Sequence, residues 1–291
     1  MVFEFKPRYN RSPLRLEEDE HQRMKLIIIL LAIVPFLLAS CSKDVTVSDP
    51  GAPYKGMTAK QLYLSGRKSM FDEEYDECSK KFEGLESLYP FGEYSYYAQL
   101  DIIYCYYKQD DVGMTLASSD RYIQLYPGSP YVVYAYYMRG LAEFYQNRNF
   151  LDNHYPTDFS QRDLDPLRKS FMDFDRVVQN YPHSRYAADA RRRMIYIRNL
   201  MALHNLEVGQ FYYNHKAYVA AANRANLVVS HFEGSAAIPG ALVMMTKSYQ
   251  QLKLPQDALQ SLTVLKWNYP NNQYIPGLEE KQAKLMGLKH L

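Results

Sequence analysis

The stretch that decides the fold is Tyr126-Pro127-Gly128-Ser129-Pro130-Tyr131, because similar stretches recur along the chain. Two clear copies are Tyr89-Pro90-Phe91-Gly92-Glu93-Tyr94 and Tyr181-Pro182-His183-Ser184-Arg185-Tyr186, and weaker copies begin at Phe232 and Tyr269. A proline directly after the aromatic cannot continue a helix, so each copy predicts the end of one helix and a turn into the next.

Alignment on that aromatic reveals a second pattern upstream of it. The residue four positions earlier is large, and the residue eleven positions earlier is small or fairly small. A small residue lets two antiparallel helices approach closely, and the large residue fills the space beside it. The small positions are Cys78, Thr115, Ser170, Ala221 and Ala258, and the large ones are Leu85, Tyr122, Val177, Val228 and Leu265.

The shorter spacings between copies lie near the roughly 34-residue period of tetratricopeptide units, and the longer ones imply insertions. The helices after each turn show a 3.6-residue apolar period, as in Tyr97, Leu100, Ile103 and Tyr107. We therefore predict an all-α fold, an α-solenoid of about five tetratricopeptide-like helix-turn-helix repeats. The predicted divisions are 57–148 for repeats 1 and 2 with the first helix of repeat 3, 149–166 for an inserted loop, 167–275 for the rest of repeat 3 with repeats 4 and 5, and 276–291 for a C-terminal capping helix.

Within the fourth repeat, the segment from Ala187 to Asn214 is too long for one ordinary repeat helix. We expect either two helices or one extended helix there.

The N-terminal region reads as a signal peptide that ends at residue 40. Arg23 and Lys25 precede an uncharged apolar run, and Leu38-Ala39-Ser40-Cys41 closes it. The run is too short to span a bilayer, which needs about 20 apolar residues. A cysteine after small residues is typical of a lipobox, with cleavage between Ser40 and Cys41 and lipidation of Cys41 by S-diacylglycerol and an N-acyl chain. The alternative is an ordinary secretory signal with a chance cysteine.

Two other features belong to this region. An acidic cluster before the apolar run is unusual for a signal peptide, so translation could begin at Met24 instead, with residues 1–23 a mis-assigned start. Residues 41–56 contain Asp49-Pro50-Gly51 and have the composition of an extended tether between lipid and fold.

Charge and cysteine content exclude several classes of protein. The formal net charge is only +2 and no long basic run occurs, so we expect no nucleic-acid partner. Besides Cys41 there are only Cys78 and Cys105, which is too few for a disulfide scaffold. Both lie in apolar helical patterns, so two buried reduced thiols are favoured, although a bond between them stays open.

No catalytic or metal-binding motif is present in the sequence, and we predict a non-enzymatic protein with no cofactor and no metal. The His residues are scattered, and the glycines form no phosphate-binding loop. Asp173 and Asp175 are predicted to lie on the solvated face of a helix. The run Arg191-Arg192-Arg193 reads as a solvated or partner-facing patch.

Tyrosine is the compositional outlier, with 28 in 291 residues. About half of those in the second and third repeats are expected to pack in the core. The others are candidates for a groove that binds apolar peptide, because a rigid ring with a hydroxyl binds at low entropic cost. The candidate client-binding residues are Tyr94, Tyr97, Tyr104, Tyr107, Tyr131 and Tyr134.

Several longer stretches resemble one family, the BamD outer-membrane protein assembly factors, which are lipoproteins of the β-barrel assembly machinery. The resemblance covers nearly the whole mature chain. It departs in the acidic N-terminal extension and at Phe232-Glu233, where Tyr-Pro is expected. The stretches are the Cys41 lipobox, Tyr89-Pro90-Phe91-Gly92, Gln99-Leu100-Asp101, Tyr104 to Lys108, Tyr137-Met138-Arg139-Gly140-Leu141, Arg162-Asp163, Asp165-Pro166, Tyr181 to Ser184 and Ala217 to Ala220.

The resemblance implies a lipid-anchored protein of the cell outer membrane that faces the periplasm, and Ser42 agrees with sorting there. It implies that the C-terminal repeats bind the barrel-forming subunit, beside accessory lipoproteins. The N-terminal repeats would receive C-terminal segments of unfolded outer-membrane proteins. Two alternatives remain: a tetratricopeptide adaptor for peptidoglycan or cell-division enzymes, and an enzyme whose activity resides in the inserted loop.

Overall fold

The computed structural model describes residues 49–146 and 163–288, so the signal peptide, Cys41 and most of the predicted inserted loop lie outside it. The described residues form a short 3₁₀ helix, Ala52–Tyr54, followed by α-helices and no strands. The helices are α1 (Ala59–Phe71), α2 (Tyr75–Leu88), α3 (Glu93–Lys108), α4 (Val112–Leu125), α5 (Val132–Tyr145), α6 (Asp165–Asn180), α7 (Ala187–Asn214), α8 (Tyr218–His231), α9 (Ile238–Gln251), α10 (Pro255–Asn268) and α11 (Ile275–Met286).

The helices of residues 50–288 stack as five consecutive pairs followed by α11. Each helix packs against the next one in the chain. The first helices of neighbouring pairs are also in contact: α1 contacts α3, and α3 contacts α5. This arrangement confirms the predicted α-solenoid of helix-turn-helix repeats.

The ten aligned small and large positions form the contact between the two helices of each pair. All ten side chains are at most 1% exposed. In the third pair the small residue also forms a hydrogen bond, because the Ser170 hydroxyl donates to the carbonyl of Gly140 at 2.8 Å. Small side chains at these positions therefore let the helix backbones approach, as the sequence predicts.

The aromatic residue that defines each repeat caps its second helix. The backbone N–H of Tyr89 donates to the carbonyl of Leu85 at 2.8 Å, and that of Tyr126 donates to Tyr122 at 2.9 Å. The same bond joins Tyr181 to Val177, Phe232 to Val228 and Tyr269 to Leu265. The acceptor is in each case the large core residue, so helix termination and core packing are fixed by one pair of positions.

The turns from the first to the second helix of a repeat share a backbone conformation that the sequence does not predict. In four of the pairs a non-glycine residue there has a positive φ, at Glu73 (63°), Asp110 (55°), Lys216 (62°) and Lys253 (57°). Such residues rarely adopt this conformation. The backbone N–H groups around the turn bond back to the first helix, as Asp111 does to the carbonyl of Tyr106 at 3.1 Å, which offsets the strain.

The structure gives the bounds of two helices that the sequence left open. Residues 187–214 form one continuous helix rather than two. Helix α6 begins at Asp165, so the last two residues of the predicted inserted loop are helical. Pro166 sits in the first turn of α6, where its missing N–H costs no intrahelical hydrogen bond.

Cys78 and Cys105 form a disulfide between α2 and α3, with their Cα atoms 6.1 Å apart. The expectation of two reduced thiols is therefore wrong. Both residues are fully buried in apolar surroundings, as their sequence context indicates. A sequence pattern gives burial, but it does not give the distance in space that decides whether two cysteines can bond.

Asp173 is only 4% exposed, so its predicted place on a solvated helix face is wrong. Arg139 of α5 binds it with two hydrogen bonds, Nε to Oδ2 at 2.7 Å and Nη2 to Oδ1 at 2.5 Å. Arg139 also donates to Asp120 of α4. The buried pair of Arg139 with Asp173 therefore joins the two helices of the third repeat, and the bond to Asp120 joins that repeat to the second. Asp175, by contrast, is partly exposed and accepts a hydrogen bond from Gln179.

Replacing Gly66 by alanine should destabilise the first repeat. A Cβ at Gly66 would lie 2.5 Å from Cε1 of the fully buried Phe82 ring. We expect the free energy of unfolding to fall by about 1–3 kcal/mol, as for other overpacked cores. Urea unfolding measures it, with Gly277→Ala as the control, since that helical glycine has no atom within 4 Å of its Cβ position. Equal unfolding midpoints for Gly66→Ala and the wild type would contradict the close contact of α1 with α2.

Replacing Asp173 by asparagine should break the buried ion pair and leave Arg139 insufficiently neutralised. We expect a loss of about 3 kcal/mol in the free energy of unfolding, near the lower end of what removal of one buried partner costs. The matched control is Asp175→Asn on the same helix, which should change stability by no more than about 0.5 kcal/mol. Thermal or urea unfolding measures both values. An equal loss in the free energy of unfolding for Asp173→Asn and Asp175→Asn would contradict the importance of the buried ion pair.

Candidate functional site

The first helices of the N-terminal repeats place a row of tyrosines on one surface. Along α3, Tyr94, Tyr97, Asp101 and Tyr104 follow one another at three- and four-residue steps, so they share a face. The neighbouring first helices extend this face. We call it the tyrosine surface, and define it as Tyr63 of α1, Tyr94, Tyr97 and Tyr104 of α3, Tyr131 and Tyr134 at the start of α5, and Tyr186 at the start of α7.

The rings at one end of this surface touch across three repeats. Tyr63 lies 5.6 Å from Tyr94 and 6.4 Å from Tyr97, measured between ring centroids. Tyr97 lies 6.3 Å from Tyr131, which is 43% exposed. These distances are within the range of favourable aromatic pairs. The three candidates Tyr94, Tyr97 and Tyr131 are therefore brought together, with Tyr63 as a fourth member.

A carboxylate lies within the tyrosine surface at Asp101. The hydroxyl of Tyr63 donates to Oδ2 of Asp101 at 3.0 Å, and Arg67 binds the same oxygen at 3.2 Å. Burial raises the pKa of Asp101, which the contacts from Arg67 and Tyr63 oppose. Burial and the Asp101 charge together raise the pKa of Tyr63 to about 12, so its hydroxyl stays protonated and acts as a donor.

Tyr134 and Tyr186 extend the surface toward the fourth repeat. Their ring centroids are 5.8 Å apart, and Tyr186 stacks on Tyr137 at 4.8 Å. Burial raises the pKa of Tyr134, and the neighbouring Tyr186 and Asp101 raise it further. Arg185 lies over the Tyr186 ring at 4.9 Å and donates to its hydroxyl, which places a cation at this edge.

A second carboxylate, Asp189 of α7, binds the third repeat to the fourth. It accepts hydrogen bonds from the Tyr137 hydroxyl at 2.8 Å, from Arg193 at 2.6 Å and from Arg192 at 3.1 Å. Burial works against ionisation of Asp189, but these three donors outweigh it and lower its pKa. Arg193 also lies over the Tyr145 ring, so this part of the predicted arginine run is held in place.

The remaining two candidates lie toward the other end of α3. Tyr104 packs edge-on against Tyr75 at 6.0 Å. Tyr107 packs against Tyr145 at 6.5 Å, and these two rings line a cavity of about 500 Å³ with Asp110, Thr115 and Ala142. Each of the six predicted residues is partly exposed or exposed, but Tyr107 lines this cavity with Tyr145 and is not part of the tyrosine surface.

Other tyrosines of the same repeats are buried in the core or pack against it. Tyr96 packs edge-on against Tyr126 at 4.9 Å, and the hydroxyls of Tyr96 and Tyr122 both bond to Ser129, at 2.6 and 3.0 Å. Tyr106 is 4% exposed and donates to Glu83. The adjacent residues Tyr96 and Tyr97 therefore differ in part: both are partly exposed and both contact Tyr131, but Tyr96 also packs against the buried Tyr122.

Sequence reasoning missed Tyr63, Arg67 and Asp101 at this surface, and Asp189 beside it. A signal for Asp101 was present, because it falls on the same helical face as Tyr97 and Tyr104. Tyr63 and Arg67 carry no such signal, since they come from a helix whose register against α3 is set only by tertiary packing.

The tyrosine surface has the chemistry of a binding surface. It offers aromatic rings, hydroxyl donors and two carboxylates that are each neutralised by arginine. In the part of the chain that the structure describes, no three His, Cys, Asp or Glu side chains are grouped as metal ligands. No helix among residues 49–146 and 163–288 is both long and apolar enough to cross a membrane.

Comparisons with known proteins agree on one family. The family model YfiO, described as outer membrane lipoprotein, matches residues 55–265. The outer membrane protein assembly factor BamD of Neisseria meningitidis serogroup A is 31% identical over 85% of this chain and 93% of its own length. BamD of Vibrio cholerae is 36% identical over 79% of this chain and 92% of its own length. A crystal structure of MamA protein aligns with 15% identity and a TM-score of 0.31, over 78% of this chain and 94% of that one.

These matches cover the helices that carry the tyrosine surface, and the relatives are named as assembly factors rather than as enzymes. The chain belongs to the YfiO family of outer-membrane lipoproteins, which includes the BamD assembly factors.

Proposed function

We propose that this chain is a non-enzymatic lipoprotein of the outer membrane that assists the assembly of β-barrel proteins. Its N-terminal repeats would bind C-terminal segments of unfolded outer-membrane proteins, and its C-terminal repeats would bind the barrel-forming subunit beside accessory lipoproteins. The names of its relatives support the general role. The observation that carries the client-binding role is the tyrosine surface, which extends from the first helix of repeat 1 to the start of α7 in repeat 4.

An extended, unfolded segment suits this surface for physical reasons. Tyrosine presents a large ring with few rotatable bonds, so it contributes contact area at a low cost in conformational entropy. An unfolded strand also carries unpaired backbone N–H and C=O groups. Asp101 and the neighbouring tyrosine hydroxyls supply hydrogen-bonding groups between the rings, so a segment could bind by both its side chains and its backbone.

Exposed aromatic residues in the later repeats support the proposal of a second interface. Trp267 of α10 is 83% exposed and Phe211 of α7 is 58% exposed. Tryptophan and other aromatics often act as the anchors of protein–protein interfaces. In this proposal the barrel-forming subunit covers them, while the tyrosine surface stays open to clients.

The lipid at Cys41 would confine both interactions to one membrane surface. Confinement raises the effective concentration of the partners, so a modest affinity suffices for association. Each buried CH₂ of an acyl chain adds about 0.8 kcal/mol, so several chains hold the protein durably. The anchor would therefore determine location, and the helical repeats would determine what is bound.

Removing the aromatic rings of Tyr97 and Tyr131 from the tyrosine surface should weaken client binding without unfolding the protein. We expect Tyr97→Ala and Tyr131→Ala together to raise the Kd for a labelled peptide from the C-terminus of an outer-membrane protein by about tenfold or more, since aromatic truncations at interfaces often cost above 1 kcal/mol. Fluorescence anisotropy measures the Kd, and circular dichroism checks the fold.

The control for this experiment is Phe211→Ala, which removes an exposed ring outside the tyrosine surface. It should leave the peptide Kd unchanged. If the double tyrosine variant bound the peptide as tightly as the wild type, the tyrosine surface would not be the client site.

Changing Cys41 to alanine should abolish membrane anchoring and leave the fold intact. We expect the variant to lose its outer-membrane location while its unfolding midpoint and peptide Kd stay at wild-type values, because the helical core is built from residues 49–146 and 163–288, which do not include Cys41. Membrane flotation and mass spectrometry of the N-terminus provide the measurements. An unfolded Cys41→Ala protein, or an unlipidated wild type, would each disprove part of this proposal.

A further inference from the structure

We propose that the turn Pro90-Phe91-Gly92 of the first repeat inserts the Phe91 side chain into the phospholipid surface that holds the anchor. The inference rests on the proposed lipidation of Cys41 and goes beyond it. The lipid would attach the protein to the membrane, and Phe91 would fix which end of the first repeat faces it.

The turn presents an aromatic side chain on a rigid base. Phe91 is 91% exposed, the highest value among the exposed large apolar side chains of the described residues. Gly92 has a φ of 115°, a backbone conformation that residues with a Cβ rarely adopt. Gly92 is also the residue from which the chain enters α3. Next to it, the hydroxyl of Tyr89 donates to the carbonyl of Met57 at 2.6 Å. The turn is therefore held in place while Phe91 itself projects outward.

The chain enters the fold beside this turn. A Cβ at Gly51 would lie 2.7 Å from Cγ of Leu88, the last residue of α2, and the Tyr54 ring packs against Gly84 of the same helix. The short helix Ala52–Tyr54 thus lies along the end of α2 that leads into Phe91. Phe91 follows Leu88 by only three residues.

The length of the tether keeps the membrane close to this end. About eight residues separate Cys41 from Asp49, and a fully extended chain spans at most roughly 3.3–3.6 Å per residue. The lipidated cysteine therefore lies within about 30 Å of Asp49, whatever path the chain takes. Because the chain enters the fold at the end of the first repeat that holds Phe91, this end lies nearer to the attachment point than the opposite end of α1 does.

Exposure alone would not support the proposal, because single exposed apolar residues are common on protein surfaces. Phe71 is such a residue: it belongs to the same repeat and is 85% exposed. It lies at the opposite end of α1, and 13 residues of helix at 1.5 Å per residue place it about 20 Å further from the chain entry. The two phenylalanines differ in their distance from the anchor, which makes Phe71 a matched control.

The surroundings of Phe91 suit the interfacial region of a bilayer rather than its interior. Pro90 is uncharged and exposed, and Lys55 and Lys60 place exposed cations at the same end of the repeat. Aromatic side chains flanked by cations are typical of segments that lie in the headgroup region. Glu93, directly after the turn, is exposed and would remain in the hydrated layer.

The test uses the full lipidated protein with a single tryptophan as the probe. The one natural tryptophan is first removed by Trp267→Phe, and Phe91→Trp or Phe71→Trp is then added. Each protein is bound to vesicles of phosphatidylethanolamine and phosphatidylglycerol, with or without brominated acyl chains. We expect the indole at position 91 to shift to shorter emission wavelength and to lose emission in brominated vesicles. The indole at position 71 should do neither.

Flotation of the same samples separates failure of this inference from failure of the anchor. If the proteins float and the indole at position 91 is not quenched, the Phe91 contact is overturned while the anchor stands. Equal quenching at both positions would also overturn it, because the membrane would then contact the repeat without preference. If the proteins do not float, the anchor itself is wrong and this inference falls with it.

Discussion

The close contact between the two helices of each repeat is the constraint on which the rest of the structure depends. It requires a small residue on the second helix, such as Ala221 or Ala258, with a large buried residue seven positions later. The carbonyl of that large residue accepts the last i→i−4 hydrogen bond of the helix, from the backbone N–H of the capping aromatic residue. Packing and helix termination are thereby linked, so each repeat ends where its core contact ends, and the next first helix starts in register.

That register produces the tyrosine surface. Because successive first helices touch, residues on the same face of α1, α3 and α5 come within ring-contact distance although they are far apart in sequence. The surface also includes a partly buried carboxylate, Asp101, whose raised pKa reflects the cost of its burial. Tyr63 and Arg67 offset that cost, so the same contacts that stabilise Asp101 also fix the rings beside it.

The sequence predicts the parts of this fold that depend on repetition. The small and the large position could be recognised because each recurs five times, and all ten residues proved to be buried. Features that occur once could not be recognised in this way. Asp173 looks like a surface residue until α5 places Arg139 beside it, and Cys78 bonds to Cys105 because α2 and α3 happen to bring them together. Both depend on distances between helices, which no local pattern contains.

The division of tyrosines between core and surface has the same origin. Tyr96 and Tyr97 are adjacent and chemically identical, and both rings contact Tyr131, yet Tyr96 also packs against the buried Tyr122 whereas Tyr97 contacts Tyr63. Tyrosine tolerates both environments, because its ring can be buried while its hydroxyl finds a partner such as Ser129. Composition alone therefore identifies an aromatic-rich region but does not assign roles within it. The helical period assigns them only where a charged residue marks the outer face, as Asp101 does for Tyr97 and Tyr104.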